Sequence, residues 1–340
     1  MTSPNYLACS LLALAIVVPF SPLAADDSAE VEHWLDRMAR AVETLSYRGT
    51  LVHWRGDQLD TLRIIHRSDA SGVRERLYSL NGKPREILRD GDQVRSLLAD
   101  DQPVVVHSEL GSRLLPHLPL SRLESARDAY RFHLRDRARV AGLQAQIVEI
   151  LPLDAFRYGH RFWLEPQTGM LLQSALLDQS GQRVQQLTFV DIELGVRISD
   201  AELEPEIKPD VVLETRLNQS LPIPAKPAPG NDNLPDNASE TGGAPIRVPD
   251  HFQLARRGRG ESEDGVVFDH LLFSDGVASF SVYIEEATHR EKESRLESLG
   301  SVHLYTGRFD ERQITVVGEV PMATVRYVGR WLHRASVKNK

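Results

Sequence analysis

The chain is almost without cysteine. Of its 340 residues one is cysteine, Cys9, and it sits inside an apolar N-terminal stretch. If that stretch is cut away, no thiol remains. That excludes a thiol nucleophile, a cysteine-ligated zinc and a disulfide scaffold, so each folded unit has to hold by packing. Catalytic signatures are missing too. The 12 histidines are scattered, with no His-x-His and no His-Glu-x-x-His. No Gly-x-Ser-x-Gly, P-loop or Gly-x-Gly-x-x-Gly after a strand occurs. Positive charge is also in deficit: 40 Lys and Arg against 48 Asp and Glu give a formal charge of −8. That argues against a general nucleic-acid binder. No cofactor is indicated.

What is present begins with the apolar core from Leu7 to Phe20, followed by Leu23-Ala24-Ala25 and then Asp26 and Asp27. The core is short for a membrane span, and a small residue before acids suits a cleaved export signal over residues 1–25. No Lys or Arg precedes the core, which departs from the usual pattern. From Asp27 a helix is expected. Asp27 or Ser28 can cap it, and Val31, Trp34, Leu35, Met38, Val42 and Leu45 recur at helical spacing.

Strands follow. "RGTLVHW" and "LDTLRIIHR" flank a Gly56-Asp57 turn, and Arg74–Leu98 carries Asn81-Gly82 and Asp90-Gly91 between three strand-forming runs. With two-residue turns pairing Leu80 with Lys83 and Arg89 with Asp92, neither face of this meander is cleanly apolar. Arg76, Tyr78 and Ile87 share one face; Leu77, Glu86 and Arg95 share the other. Glu86 and Arg95 then form a cross-strand surface pair. A bulge at Pro84 would move residues 85 onward to the opposite face. The stretch Ser108–Leu134 lacks strand alternation and is rich in leucine. It reads either as a satellite apolar cluster or as a lid or docking surface, with Leu114, Leu115 and Leu118 as contact candidates. A second meander runs from Val140 to Leu194, giving a sheet of about eight or more strands that tends to curl. Within "HRFWLE", Phe162 and Leu164 share one face and Trp163 the other. One face must meet something other than water, either an ordinary core or a pocket for a lipid tail.

Nine of the nineteen prolines fall between Pro205 and Pro249. Residues 206–244 therefore read as an extended linker, dividing a unit over 26–205 from a smaller α+β unit over 245–335. In the latter, "FQLARRG" reads as a strand, Asp275-Gly276 joins two more, and Pro321 opens a helix with Met322, Val325, Val328 and Leu332 as its stripe. "ARRGRGESED" is the one basic cluster. Arg256, Arg257 and Arg259 are either a solvated turn or a fork for a phosphate headgroup or an acidic partner segment.

"RERLYSLNGKPREILRDGD", "YGHRFWLEPQTGMLLQSALLDQSGQRVQQLTF", "FSDGVASFSVYIEE" and "VVGEVPMATVRYV" stand in this order. Together with the export signal and the proline-rich segment, they resemble the RseB/MucB family of envelope-stress regulators. The resemblance spans nearly all of the chain after the signal. It implies a mainly β, α+β protein. Its large N-terminal domain would be a LolA/LolB-like unclosed antiparallel β-barrel on a covering helix, and its C-terminal domain small. It implies a periplasmic location and binding to the periplasmic domain of an anti-sigma factor, RseA or MucA. Bound there, such proteins shield the anti-sigma factor from proteolysis until mislocalised lipopolysaccharide or lipid displaces them. A lipid or lipoprotein carrier and an enzyme are the competing classes, and a homo-oligomer stays open.

Overall fold

The structure, a computed structural model, describes residues 27–98, 115, 126–207, 211–216, 246–261, 266–287, 294–309 and 311–338. The export signal, Leu114, Leu118 and most of the proline-rich segment lie outside the described residues. No helix among the described residues is long and apolar enough to cross a membrane.

The chain opens with α1 (Ser28–Thr44), which buries Val31, Leu35, Met38, Ala41 and Val42. Asp27 precedes it but does not cap it with its side chain; its carboxylate instead accepts the Leu134 amide, at 3.1 Å. Ten strands follow: β1 (Tyr47–Arg55), β2 (Gln58–Asp69), β3 (Gly72–Ser79), β4 (Arg85–Asp90), β5 (Gln93–Leu98), β6 (Tyr130–Val140), β7 (Leu143–Pro152), β8 (Gly159–Leu164), β9 (Leu171–Leu177) and β10 (Arg183–Leu194). After the single-turn α2 (Asp200–Leu203) comes β11 (Val211–Arg216). All eleven form one antiparallel sheet in the order β11-β5-β4-β3-β2-β1-β10-β9-β8-β7-β6. Its two ends do not meet. Yet α1 touches both β2 and the far-edge strand β6, so the sheet curls round the helix. Leu51, Ile64, Leu77, Phe132, Ile150, Phe162 and Leu164 join the α1 stripe in one core. This is the unclosed, helix-filled architecture the resemblance implied.

Two strands differ from the sequence reading. β11 lies inside the proline-rich stretch, because Val211–Arg216 is a short proline-free run that adds to β5 at the sheet edge. β6 starts at Tyr130, within the leucine-rich stretch taken as an insertion. Tyr130–Leu134 does alternate apolar with polar residues, and Tyr130 and Phe132 are buried; the bulge between Arg135 and Ala138 interrupts the pattern only beyond it.

The meander also differs in register. Leu77 pairs with Ile87 and Tyr78 with Glu86, one residue off the assumed hairpin. Pro84 has no N–H to give a ladder, so the loop is longer than two residues. Ser79 Oγ closes it, donating to the Lys83 carbonyl and accepting the Arg85 amide, both at 3.0 Å. Asn81 stitches the loop to β2, accepting from the Thr61 amide at 2.6 Å and donating to the Leu59 carbonyl at 2.9 Å. The second turn has two residues but sits one position later than expected, at Gly91-Asp92: Asp90 lies opposite Gln93 and Arg89 opposite Val94, not Asp92, with Gly91 at φ +56°.

The shift sorts the faces. Leu77 and Ile87 now turn together to the α1 core. On the other face Ile65 and Tyr78 pack with Ile198 and Leu203 from the segment around α2. That face also holds a buried ion pair. Arg76 and Glu86 are each 2% exposed, with Arg76 Nε 3.1 Å from Glu86 Oε2. Glu86 Oε1 accepts the amides of Glu206 and Ile207, both at 3.0 Å. The expected Glu86–Arg95 surface pair is therefore not formed. Glu86 is a buried anchor for the chain leaving the sheet.

The C-terminal unit is a second antiparallel sheet of six strands: β12 (Gln253–Glu261), β13 (Val267–Ser274), β14 (Ser279–Glu286), β15 (Arg295–Leu299), β16 (Val302–Phe309) and β17 (Arg312–Gly318). Their order is β12-β13-β14-β17-β16-β15. The helix α3 (Met322–Lys338) lies on β16 and β17. Phe280, Val282, Val316, Val325 and Val328 form its core.

Candidate binding surfaces

The five candidate contact residues among the described residues are not brought together. Leu115 is 3% exposed and part of the core round α1, so it is a packing residue and not a surface contact. Leu114 and Leu118 lie outside the described residues. Trp163 is on the outer face of the sheet but only 9% exposed, packed with Val140, Ala145 and Ala175. The Arg161 guanidinium stands 5.8 Å from its ring centroid. Both faces of the sheet are thus apolar at β8, with Phe162 turned to α1 and Trp163 to a second cluster. Neither Leu115 nor Trp163 offers an open surface.

Arg256, Arg257 and Arg259 lie in β12, a strand rather than a turn. The strand expected over "FQLARRG" is there, and it runs on through Arg259 to Glu261, so it takes in the basic cluster. β12 pairs only with β13 and is an edge of its sheet. Arg257 and Arg259 are exposed. On the face opposite α3, half-buried His270 stacks on Tyr283 with centroids 4.6 Å apart, and Phe268 meets Tyr283 edge-on at 5.5 Å. The His270 imidazole is held below its usual range by burial and then by the Arg256 charge.

The most strongly built polar site joins the two sheets, and sequence reasoning missed it. Arg157 is fully buried, as is the Asp275 carboxylate that accepts from its Nε. Asp154 and the Asp250 carbonyl take the rest of the guanidinium, and its plane lies 4.3 Å from the Phe252 ring centroid. Asp275 Oδ2 also accepts from Tyr130 Oη at 3.1 Å. Its Oδ1 accepts the Val277 and Ala278 amides at 2.9 and 2.7 Å, closing the β13–β14 turn. Burial, then the Asp275 charge, pushes the Tyr130 phenol well above its usual range. Thr324 Oγ1 donates to the Phe156 carbonyl at 2.6 Å, and Phe156 packs edge-on against Tyr327. So α3 docks on the β7–β8 loop.

A second contact closes the other side of this joint. Ser301 Oγ lies 2.9 Å from Gln185 Oε1 across the joint and 2.5 Å from Glu319 Oε1. A hydroxyl carries one proton, so a protonated Glu319 can donate to Ser301 while Ser301 donates to Gln185. Burial raises the Glu319 carboxyl above its ordinary range, against the Ser301 hydrogen bond and the Arg55 charge. Asp154, three residues before Arg157, was the only local trace of the joint in the sequence. Asp275 is 118 residues away. Among the described residues no cluster of histidine and carboxylates could hold a metal ion.

Comparison with known proteins bears on both sheets. The MucB/RseB N-terminal domain profile matches residues 30–207, and the MucB/RseB C-terminal domain profile matches residues 244–332. The chain is 28% identical over 311 residues to the sigma factor AlgU regulatory protein MucB of Pseudomonas aeruginosa, covering 89% of this chain and 91% of that one. It is 23% identical over 317 residues to the sigma-E factor regulatory protein RseB of Haemophilus influenzae, covering 93% and 95%. A solved complex of Pseudomonas aeruginosa MucA and MucB superposes with a TM-score of 0.66 at 26% identity, covering 88% of this chain and 96% of that one. A structure of MucB in complex with MucA(peri) gives 0.65, with the same identity and coverage. With both of its sheets matched in order, the chain belongs to the MucB/RseB family.

Proposed function

We propose that this protein is a periplasmic regulator that binds the periplasmic domain of a membrane-spanning anti-sigma factor of the MucA/RseA type. In that role it shields the partner from proteolysis and lets it go when envelope lipid or lipopolysaccharide signals damage. The observation that carries this reading is the match of both units to one regulatory family, one of whose members is solved with MucA(peri) bound. The molecule suits a binder. It offers open sheet edges, and a buried polar joint can couple two units to one partner. Release then requires the lipid signal to favour an arrangement that holds the partner less well. The export reading of residues 1–25 places the protein in the same compartment as that partner.

A pull-down of the exported chain on the periplasmic domain of its cognate anti-sigma factor tests this. Retention at micromolar concentration is expected; no binding there overturns the reading. Protection of the bound partner from proteolysis, and its loss on adding lipopolysaccharide, test the two finer parts.

A further inference from the structure

We infer that the free edge of β12 takes an extended segment of the protein partner as an added strand, and that this segment alternates acidic with apolar residues. The inference rests on the binding reading above and names the chemistry of the bound segment.

Three observations carry it. First, β12 is an outer strand of the six-stranded sheet, so half of its backbone donors and acceptors face away from β13, the arrangement that admits another strand. Second, the charge is arranged for a strand. Arg257 and Arg259 are exposed and have no ion-pair partner among the described residues, on a chain whose formal charge is −8. Standing two residues apart on one face, they repeat at roughly 6.8 Å, the interval at which a neighbouring strand presents its own side chains. A phosphate headgroup calls for convergent donors, not a row. Third, the opposite face carries an aromatic platform, with Arg256 at one end of it. Gly258 and Gly260 lie across from His270 and Phe268. A Cβ on Gly260 would come within 2.6 Å of the Phe268 ring, whereas one on Gly258 would meet nothing nearer than 4.0 Å. The missing side chains leave the aromatic surface accessible from the edge. An added strand therefore places alternate side chains over two arginines and over an aromatic platform, which is the acidic–apolar alternation.

The test uses the exported chain, wild type and Arg257→Glu/Arg259→Glu, against three probes. These are the anti-sigma periplasmic domain, a fluorescent ten-residue peptide alternating glutamate and valine, and phosphatidylglycerol vesicles. The variant's thermal midpoint confirms folding. The expected result is about tenfold weaker binding of both the domain and the peptide by the variant at low salt. Peptide binding should also be lost when alternate peptide nitrogens are methylated, since that removes ladder donors and leaves the charge unchanged. If the domain binds wild type and variant equally, the edge is not its contact; the inference falls and the proposed function stands. If wild type does not bind the domain, the proposed function falls. The edge is then judged on the peptide alone: loss in the variant supports it, and no peptide binding overturns it. Vesicle binding that depends on the arginines, without peptide binding, assigns the row to lipid and overturns the inference.

Discussion

Two sets of arginines divide the molecule. Arg76 and Arg157 are buried with their carboxylates, whereas Arg257 and Arg259 stand exposed on an edge. The same side chain does opposite work in the two places. A buried guanidinium is tolerated only when its donors are taken up, and it then fixes one geometry. Arg76 pins the chain that leaves the large sheet, and Arg157 pins the small sheet against the large one. Among the described residues the exposed pair has no ion-pair partner, which leaves it to another molecule. Charge count alone does not separate these roles; burial does.

The contrast breaks most visibly at Asp275. Asp275→Asn keeps an oxygen for the Val277 and Ala278 amides but sets an amide against Arg157, leaving the fully buried guanidinium only the partly exposed Asp154 carboxylate. A loss of about 3–5 kcal/mol is expected. It should be read as early release of the C-terminal unit in urea and as a larger radius of gyration in X-ray scattering. Glu86→Gln is the counterpart at the other buried arginine, where Glu206 stays 3.2 Å from Arg76 and no second sheet is held. About 1–3 kcal/mol is expected, with faster hydrogen exchange at the Glu206 and Ile207 amides.

The joint also carries a pH signature. Because the Glu319 carboxyl is raised in the native state, the folded protein holds a proton that the unfolded chain has already lost. That contribution is complete below the ordinary glutamate value and disappears as pH rises through the raised one. The difference in urea midpoint between wild type and Glu319→Gln should therefore change across that window, and a constant difference refutes it. Depressed carboxylates such as Glu193 and Glu202 pull the other way in both proteins, so the subtraction removes them. The smallest effect belongs to Arg257→Glu/Arg259→Glu, with stability expected to move within about 0.5 kcal/mol. A larger loss would place these arginines with the buried set.

Much of the architecture was legible. Helical spacing gave α1 and the stripe of α3, and the glycine turns at Gly56, Gly91 and Gly276 gave the hairpins, because periodicity and positive φ are local properties. The register of the first meander was not, because one proline without an N–H changed a loop by one residue and exchanged the faces of β4 and β5. β6 was not legible although Tyr130–Leu134 alternates, because the leucines and prolines before it read as irregular chain, and β12 was legible only as far as Gly258. The joint could not be read at all: "DAFRYG" has no period, and the partners of Arg157 arrive from a different sheet. Two of the candidate residues, Leu115 and Trp163, are buried for a related reason. Leu115 and Trp163 were chosen as exposed apolar side chains, but a curled sheet with apolar clusters on both faces buries them.

The arginine row on β12 has one more effect. An edge strand is hazardous to its owner, since any similar edge can pair with it and begin a fibre. Two β12 strands from separate copies would bring arginine rows face to face, and like charges opposed across strands repel. The edge therefore discriminates by sign: it refuses its own kind and stays available to an acidic strand. Keeping the protein from polymerising along this edge and admitting a partner to it are, at β12, one property of the same two side chains.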